Sequence, residues 1–211
     1  MASAYEVIYL TGAPAAGKST LSRALAEAVR PLASFEYGAR LTAYLAERDG
    51  RAMVQEELRA KSSAVATAGD IRALDRTLLD FVAAERERGH VLVDTHAVTK
   101  ESYGFRITAY SLADVARLRP TMIVVLYTAP DVAVARIAAA PGGRPRITEW
   151  EAGFHTSLQA SVAVSYATEL GVPVYLLDGA RPTADLVAEI ARQIDRRAQT
   201  PTLPGSAGAP A

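Results

Sequence analysis

The sequence predicts an α/β fold in which parallel strands alternate with helices. Short apolar runs rich in β-branched residues recur along the chain, and amphipathic helical patterns separate them. Strands buried on both faces and joined through helices are typical of a parallel sheet with right-handed crossovers. The length of 211 residues, 50% of them hydrophobic, fits one domain with a substantial core.

The first half of the chain is predicted to supply two strands and four helices. The run at 7–10 predicts the first strand, and Leu21, Leu25 and Val29 lie on one stripe of a helix over 19–29. A short second strand is predicted over 34–37. Weaker helical patterns cover 40–48 and 52–67, on either side of a turn at Asp49-Gly50.

A clearer helix follows, because Ile71, Leu74, Leu78 and Val82 recur at helical spacing. We expect Asp70 to cap its start and Gly89 to end it.

The second half begins with a buried strand, His90–Asp94, which ends in a carboxylate. Serine or threonine three residues before an acidic side chain is typical of a helix start, and this pattern occurs at Ser111-x-x-Asp114 and Thr148-x-x-Glu151. It predicts a short helix after Ser111 and a long helix from Thr148 towards residue 170. The remaining predicted elements are strands over 122–127 and 172–177 and helices over 131–139 and 183–197. We expect one domain over residues 1–198, and a disordered Pro- and Gly-rich tail over 199–211.

Composition excludes several classes of function. The formal net charge is +0 and the chain has no cysteine, which argues against a nucleic-acid partner and excludes disulfides and thiolate zinc sites. The N-terminus lacks a secretory signal pattern, and no apolar run approaches the roughly 18 residues of a membrane span. We therefore expect a soluble, cytoplasmic protein with no membrane partner.

A phosphate-binding loop is predicted between the first strand and the first helix, where Gly12-x-x-x-x-Gly17-Lys18-Ser19 satisfies the P-loop pattern. Glycines permit close backbone approach, and the helix N-terminus attracts an anion. Lys18 is expected to reach the β- and γ-phosphates and Ser19 to ligate Mg²⁺, which predicts a nucleoside triphosphate site, with ATP the first candidate. The predicted nucleotide-binding residues are Gly12, Ala13, Ala15, Ala16, Gly17, Lys18, Ser19 and Thr20.

Asp94 is the second candidate site residue. A carboxylate at the end of a neighbouring strand can hold Mg²⁺ through water or accept a hydroxyl proton. The alternative is an aspartate that merely begins a loop.

Three arginines, Arg136, Arg144 and Arg146, flank the Pro141-Gly142-Gly143 segment. They suit a lid over about 138–148 that stabilises the transferring phosphoryl group and excludes water. The alternative is a solvated, charged loop, which would have the same sequence pattern.

Four stretches in this order resemble the archaeal-type adenylate kinases, within the nucleoside-monophosphate kinases. They are GAPAAGKST (12–20), VLVDTHAVTK (91–100), LRPTMIVVL (118–126) and RPR (144–146). The resemblance implies a P-loop NTPase three-layer α/β/α sandwich with a five-stranded parallel sheet in the order 2-3-1-4-5. It also implies a short lid and an acceptor-binding helical region over about 35–75.

Carried onto this sequence, the resemblance implies that the P-loop holds the donor phosphates and Asp94 the Mg²⁺ water shell. Arg136, Arg144 and Arg146 would act from the lid side. The implied acceptor-binding residues are Gly38, Arg40, Arg59, His96 and Arg106. For His96 a structural role is the alternative, and Arg106 could mark a different acceptor. Residues 50–70 match the family poorly, and 97–111 lack its proline-rich stretch.

Three functional hypotheses follow from these residues. The first is transfer of the γ-phosphoryl group of Mg·ATP to a nucleoside monophosphate, with AMP the first candidate. The second keeps the kinase but gives it a hydroxyl acceptor on a nucleoside, sugar or other small molecule, with Asp94 as the base. The third is a regulatory ATPase or nucleotide-dependent switch. The oligomeric state stays open.

Overall fold

The computed structural model of the protein describes residues 5–50, 66–108, 110–140 and 146–199. Five strands of this part of the chain form one parallel sheet, and two form a separate antiparallel hairpin. In chain order they are β1 (Val7–Gly12), β2 (Leu32–Glu36), β3 (His90–Asp94), the hairpin strands β4 (Val98–Glu101) and β5 (Gly104–Ile107), β6 (Met122–Tyr127) and β7 (Val174–Asp178).

The strands of the main sheet are arranged β2-β3-β1-β6-β7. Counted along the chain within that sheet, this is 2-3-1-4-5, so the predicted order is confirmed. The register pairs Leu10 of β1 with Asp94 of β3, and Gly12 with Leu126 of β6. The end of β3 therefore lies directly beside the strand that leads into the P-loop.

Helices cover both faces of the sheet. They are α1 (Lys18–Ala28), α2 (Tyr37–Asp49), α3 (Ala68–Glu85), α4 (Leu112–Leu118), α5 (Pro130–Ala139), α6 (Glu149–Leu170) and α7 (Thr183–Gln199).

Alternate residues of β1 point into two different cores. Tyr9 packs into a core with side chains of α2, α3, α4 and α6, whereas Leu10 packs into a core with side chains of α1 and α7. Both side chains are buried. A strand buried on both faces between two helical layers is what the three-layer α/β/α prediction requires, and that prediction is confirmed.

The predicted helix starts at Ser111 (α4) and Thr148 (α6) are confirmed, whereas the predicted N-cap of α3 at Asp70 is corrected. Ser111 accepts a hydrogen bond from the amide of Asp114, and Thr148 and Glu151 form a full capping box. The N-cap of α3 is Thr67, and Asp70 is the third helical residue of its capping box. The reason is geometric, because the Thr67 hydroxyl accepts from the Asp70 amide at 3.2 Å while the Asp70 carboxylate accepts from the Thr67 amide at 2.8 Å.

Glycines near two predicted helix ends have different roles. Gly50 is left-handed (φ 62°) and ends α2, as the Asp49-Gly50 turn predicts. The prediction that Gly89 ends α3 is wrong, since this helix ends at Glu85. Gly89 instead approaches Pro31 closely, because a Cβ atom there would lie 2.8 Å from the Pro31 carbonyl oxygen.

The hairpin of β4 and β5 was not predicted from the sequence. The predicted helix over 52–67 lies almost entirely outside the described residues, as do residues 141–145 of the predicted lid and most of the predicted tail. Within the described part of the chain, no helix has the length and apolar character needed to span a membrane.

Candidate functional site

The P-loop has a backbone that two glycines make possible. A Cβ atom on Gly12 would lie 2.2 Å from the carbonyl oxygen of Leu126, so no larger residue fits beside β6. Gly17 is the left-handed N-cap of α1 (φ 98°), and Ala15 is also left-handed (φ 67°). The Lys18 ammonium folds back over the loop and donates to the Gly12 carbonyl at 3.1 Å. This arrangement matches an anion cradle at a helix N-terminus.

The loop that follows β7 packs directly on the P-loop. A Cβ atom on Gly179 would lie 2.0 Å from the Ala16 carbonyl oxygen. Arg136 of α5 joins the two loops, because its guanidinium donates to the Ala15 carbonyl at 3.1 Å and to the Gly179 carbonyl at 3.3 Å. The structure thus brings Arg136 to the P-loop, while Ser19 and Thr20 are exposed in the first turn of α1.

Asp94 is buried at the end of β3, with 9% of its surface exposed. Its Oδ2 accepts a hydrogen bond from the Ser22 hydroxyl of α1 at 3.2 Å. Burial raises the pKa of the Asp94 carboxyl, and the Lys18 charge and the Ser22 hydrogen bond oppose that rise. The carboxylate therefore carries a desolvation cost that a bound cation would offset.

The residues present fit a magnesium ion shared with a nucleotide. The Ser19 hydroxyl and the Asp94 carboxylate both line the cleft and are hard oxygen ligands. Among the described residues, no group of three or more His, Asp or Glu side chains could hold a metal alone. Such a site suits Mg²⁺, which usually keeps several waters and binds to phosphates through few protein ligands.

A cleft of about 730 Å³ extends from the P-loop to a second group of side chains. Residues 12–20 line the first part, and Arg136 and Arg181 lie beside them. The second part is contributed by α2, α3, α6 and the segment from β3 to β5. Its main polar and aromatic residues are Glu36, Tyr37, His96, Thr99, Lys100, Arg106 and His155.

The structure brings three of the predicted acceptor residues to the cleft and places Arg40 outside its described lining. Gly38, His96 and Arg106 line the cleft. Arg40 is not among the described lining residues, because its guanidinium lies over the rings of Phe35 (5.3 Å) and Phe81 (5.8 Å).

The remaining predicted arginines lie elsewhere. Arg146 is exposed shortly before α6 and also lies outside the described cleft lining. Arg59 and Arg144 fall outside the described residues.

Sequence reasoning missed several cleft residues, among them Lys100 and His155. Lys100 of β4 lies 3.3 Å from Glu151 of α6 and donates to the Glu101 carbonyl at 2.8 Å. His155 of α6 hydrogen-bonds the Val98 carbonyl at 3.0 Å. Lys100 belongs to the VLVDTHAVTK stretch and could have been noted, whereas nothing local in the sequence marks His155.

A family model described as an AAA domain matches residues 11–152, from the end of β1 into the first turn of α6. The chain belongs to this family. A comparison with curated protein sequences finds no match.

Several solved structures with a similar fold are kinases. A shikimate kinase from Acinetobacter baumannii, in complex with shikimate, is 16% identical with a TM-score of 0.55, covering 94% of this chain and 97% of its own. A gluconokinase from Sinorhizobium meliloti is 20% identical (TM-score 0.53, 92% and 94% covered). A sugar kinase from a Janibacter species is 14% identical (TM-score 0.54, 90% and 95% covered). At these identities the likeness establishes the fold of the AAA domain, and the narrower resemblance to archaeal-type adenylate kinases stays a prediction.

Proposed function

We propose that this AAA domain is an ATP-dependent phosphotransferase that moves the γ-phosphoryl group of Mg·ATP to a small-molecule acceptor. One observation carries the proposal: a single cleft holds both the P-loop and a second set of polar side chains, and the buried Asp94 lines it too. A nucleotide switch needs the first part of this cleft but has no use for a second polar part opening into it.

The proposed roles of the donor-side residues follow from their positions. Backbone N–H groups of residues 12–20 would cradle the phosphates, and Lys18 would leave the Gly12 carbonyl to reach the β- and γ-phosphates. Ser19 and Asp94 would hold Mg²⁺, which neutralises charge on the phosphates when bound. Arg136 would stabilise charge on the transferring group from the α5 side.

A nucleoside monophosphate, with AMP first, is the leading acceptor. It is favoured by the resemblance to nucleoside-monophosphate kinases and by Lys100 and Arg106, two cations that line the second part of the cleft. Cations at this position would neutralise an acceptor phosphate and hold it for in-line attack.

A hydroxyl acceptor is the second candidate, and two observations favour it. Burial raises the pKa of Asp94, which makes this carboxylate a better proton acceptor for a hydroxyl group. Arg106 and Lys100 already contact Glu101 and Glu151 respectively, so part of their charge is compensated inside the protein. The similar structures named above as shikimate, gluconate and sugar kinases fit this candidate as well.

The experiment is ADP release from ATP across a panel of nucleosides, nucleoside monophosphates and sugars. We expect one acceptor class to accelerate ADP release well above the rate with ATP alone. Lys18→Ala should abolish the stimulated rate. Arg88→Ala, which removes an exposed cation in the turn after α3, should leave it unchanged. Hydrolysis that no acceptor stimulates would refute the proposal, and so would full activity in Lys18→Ala.

A further inference from the structure

We propose that His155 and Gln159 of α6 are positioning residues that hold the segment after Asp94 in register with the P-loop. This inference rests on the proposed phosphotransfer, because its consequence is the placement of acceptor against donor. The two residues are four positions apart, so they lie on the same face of α6. Both are buried, with 2% and 1% of their surfaces exposed.

Gln159 connects the two parts of the cleft through three hydrogen bonds. Its Oε1 accepts from the Thr11 hydroxyl at 3.3 Å and from the Ala97 amide at 3.2 Å. Its Nε2 donates to the Val98 carbonyl at 3.4 Å. Thr11 immediately precedes Gly12 of the P-loop, so one side chain joins the donor loop to residues 97–98.

His155 adds a second contact to the same carbonyl. Its Nε2 lies 3.0 Å from the Val98 oxygen, and because a carbonyl can only accept, this nitrogen carries the proton. Burial lowers the pKa of His155, and the charges of Lys18 and Lys100 lower it further, which outweighs the hydrogen bond to Val98. The ring also packs edge-on against Phe105 of β5, with the centroids 5.2 Å apart.

The segment held in this way carries the proposed acceptor side. His96, Thr99 and Lys100 line the cleft and flank the held residues 97–98. Hydrogen bonds from buried side chains to backbone fix position more tightly than apolar packing does, because breaking them leaves polar groups unpaired. Loss of the clamp would therefore shift these side chains relative to the γ-phosphate while the P-loop itself persists.

The test is Gln159→Met, which keeps the length of the side chain but makes none of the three hydrogen bonds. The acceptor is whichever compound the wild-type protein phosphorylates in the panel. We expect kcat for transfer to fall by up to about 100-fold, as for small misplacements of reacting groups. The KM for ATP should stay within about three-fold, because the hydrogen bonds of Gln159 go to Thr11, Ala97 and Val98 rather than to the residues 12–20 that cradle the nucleotide. His155→Phe should show the same pattern more weakly.

The matched control is Tyr166→Phe on the same helix. Its hydroxyl donates to the Tyr110 carbonyl at 3.0 Å, so the variant loses one side-chain-to-backbone hydrogen bond away from the cleft lining. It should lower the melting temperature with kcat unchanged. If Gln159→Met also lowers only the melting temperature, the positioning role is overturned.

A second readout does not depend on activity. The Ala97 amide donates a hydrogen bond to Gln159. Its hydrogen exchange should therefore be at least about ten-fold faster in Gln159→Met and unchanged in Tyr166→Phe. Unchanged exchange would refute the clamp even if wild-type transfer is robust. A wild-type protein without acceptor-dependent activity would instead refute the proposed function, with the exchange result still deciding whether the clamp exists. If Gln159→Met does not fold, Gln159→Leu, which likewise makes none of the three hydrogen bonds, takes its place and is judged on the same Ala97 exchange.

Discussion

Gly179→Ala tests how closely the loop after β7 must approach the P-loop. The added Cβ atom would lie 2.0 Å from the Ala16 carbonyl oxygen, and real Cβ atoms essentially never come closer than 3.0 Å to such an atom. The two loops must therefore separate by at least 1.0 Å (3.0 − 2.0). The Gly179 backbone resists this movement, because its amide donates to the Tyr127 carbonyl at 2.6 Å and its carbonyl accepts from Arg136.

This separation should affect both stability and nucleotide binding. Overpacking of this kind costs about 1–3 kcal/mol, and each kcal/mol lowers the melting temperature of a domain of this size by roughly 2–4 °C. Because Ala16 belongs to the phosphate cradle, we also expect the dissociation constant for ATP to rise by about ten-fold or more, measured by titration calorimetry on the same preparation.

Gly69→Ala is the matched control. Gly69 lies in the first turn of α3, where a Cβ atom would make an ordinary contact at 3.5 Å with the Thr67 hydroxyl. Stability should be equal to or slightly above wild type, since alanine is the better helix former, and ATP affinity should not change. Wild-type ATP affinity and an unchanged melting temperature in Gly179→Ala would refute the close packing of the two loops.

Two further predictions concern the acceptor side and the buried carboxylate. Asp94→Asn should abolish transfer but raise the melting temperature of the nucleotide-free protein at pH 7, because the folded-state pKa of Asp94 is raised and the charged carboxylate costs stability above that pKa. The gain in melting temperature should shrink as the pH falls towards the pKa of an aspartate in the unfolded chain. A melting temperature lowered equally at pH 7 and at that lower pH would contradict this prediction. Arg106→Ala should raise the acceptor KM about ten-fold or more if the acceptor carries a phosphate, whereas Arg40→Ala, whose side chain lies on Phe35 outside the described cleft lining, should leave it unchanged. Equal acceptor KM values in the two variants would exclude Arg106 as the phosphate contact.

The main sheet and the P-loop could be predicted because their signals are local. Buried parallel strands read as continuous apolar runs, as at Met122–Tyr127, and the P-loop glycines meet strict steric needs within a few residues. The strand order came from resemblance, since no pattern within a strand specifies its neighbours.

The hairpin escaped prediction for a physical reason. Each of β4 and β5 has four residues, and their sequences VTKE and GFRI carry too few positions for alternation to be recognised. The helix start at Thr67 was readable in principle, since Thr67-x-x-Asp70 is a capping pattern with aspartate in place of the usual glutamate.

The candidate site was predictable only where one motif carries it. Gln159 accepts a hydrogen bond from the Thr11 hydroxyl although the two residues are 148 positions apart in the sequence, and only the fold brings them together. Arg40 was predicted to contact the acceptor from its position in the sequence. Its guanidinium instead lies over the aromatic rings of Phe35 and Phe81, a contact that the sequence pattern does not reveal.

The most direct test of the central claim is ³¹P NMR of the reaction mixture with Mg·ATP and the stimulating acceptor. Phosphotransfer predicts that ADP accumulates while inorganic phosphate does not. A nucleoside monophosphate acceptor would lose its single phosphorus resonance and give the two resonances of a nucleoside diphosphate, which for AMP are those of ADP itself, with two ADP formed per ATP consumed. A hydroxyl acceptor would give one new phosphomonoester resonance in proportion to ADP. Inorganic phosphate in proportion to ADP, with no new phosphorylated species, would contradict the claim and identify the protein as an ATPase.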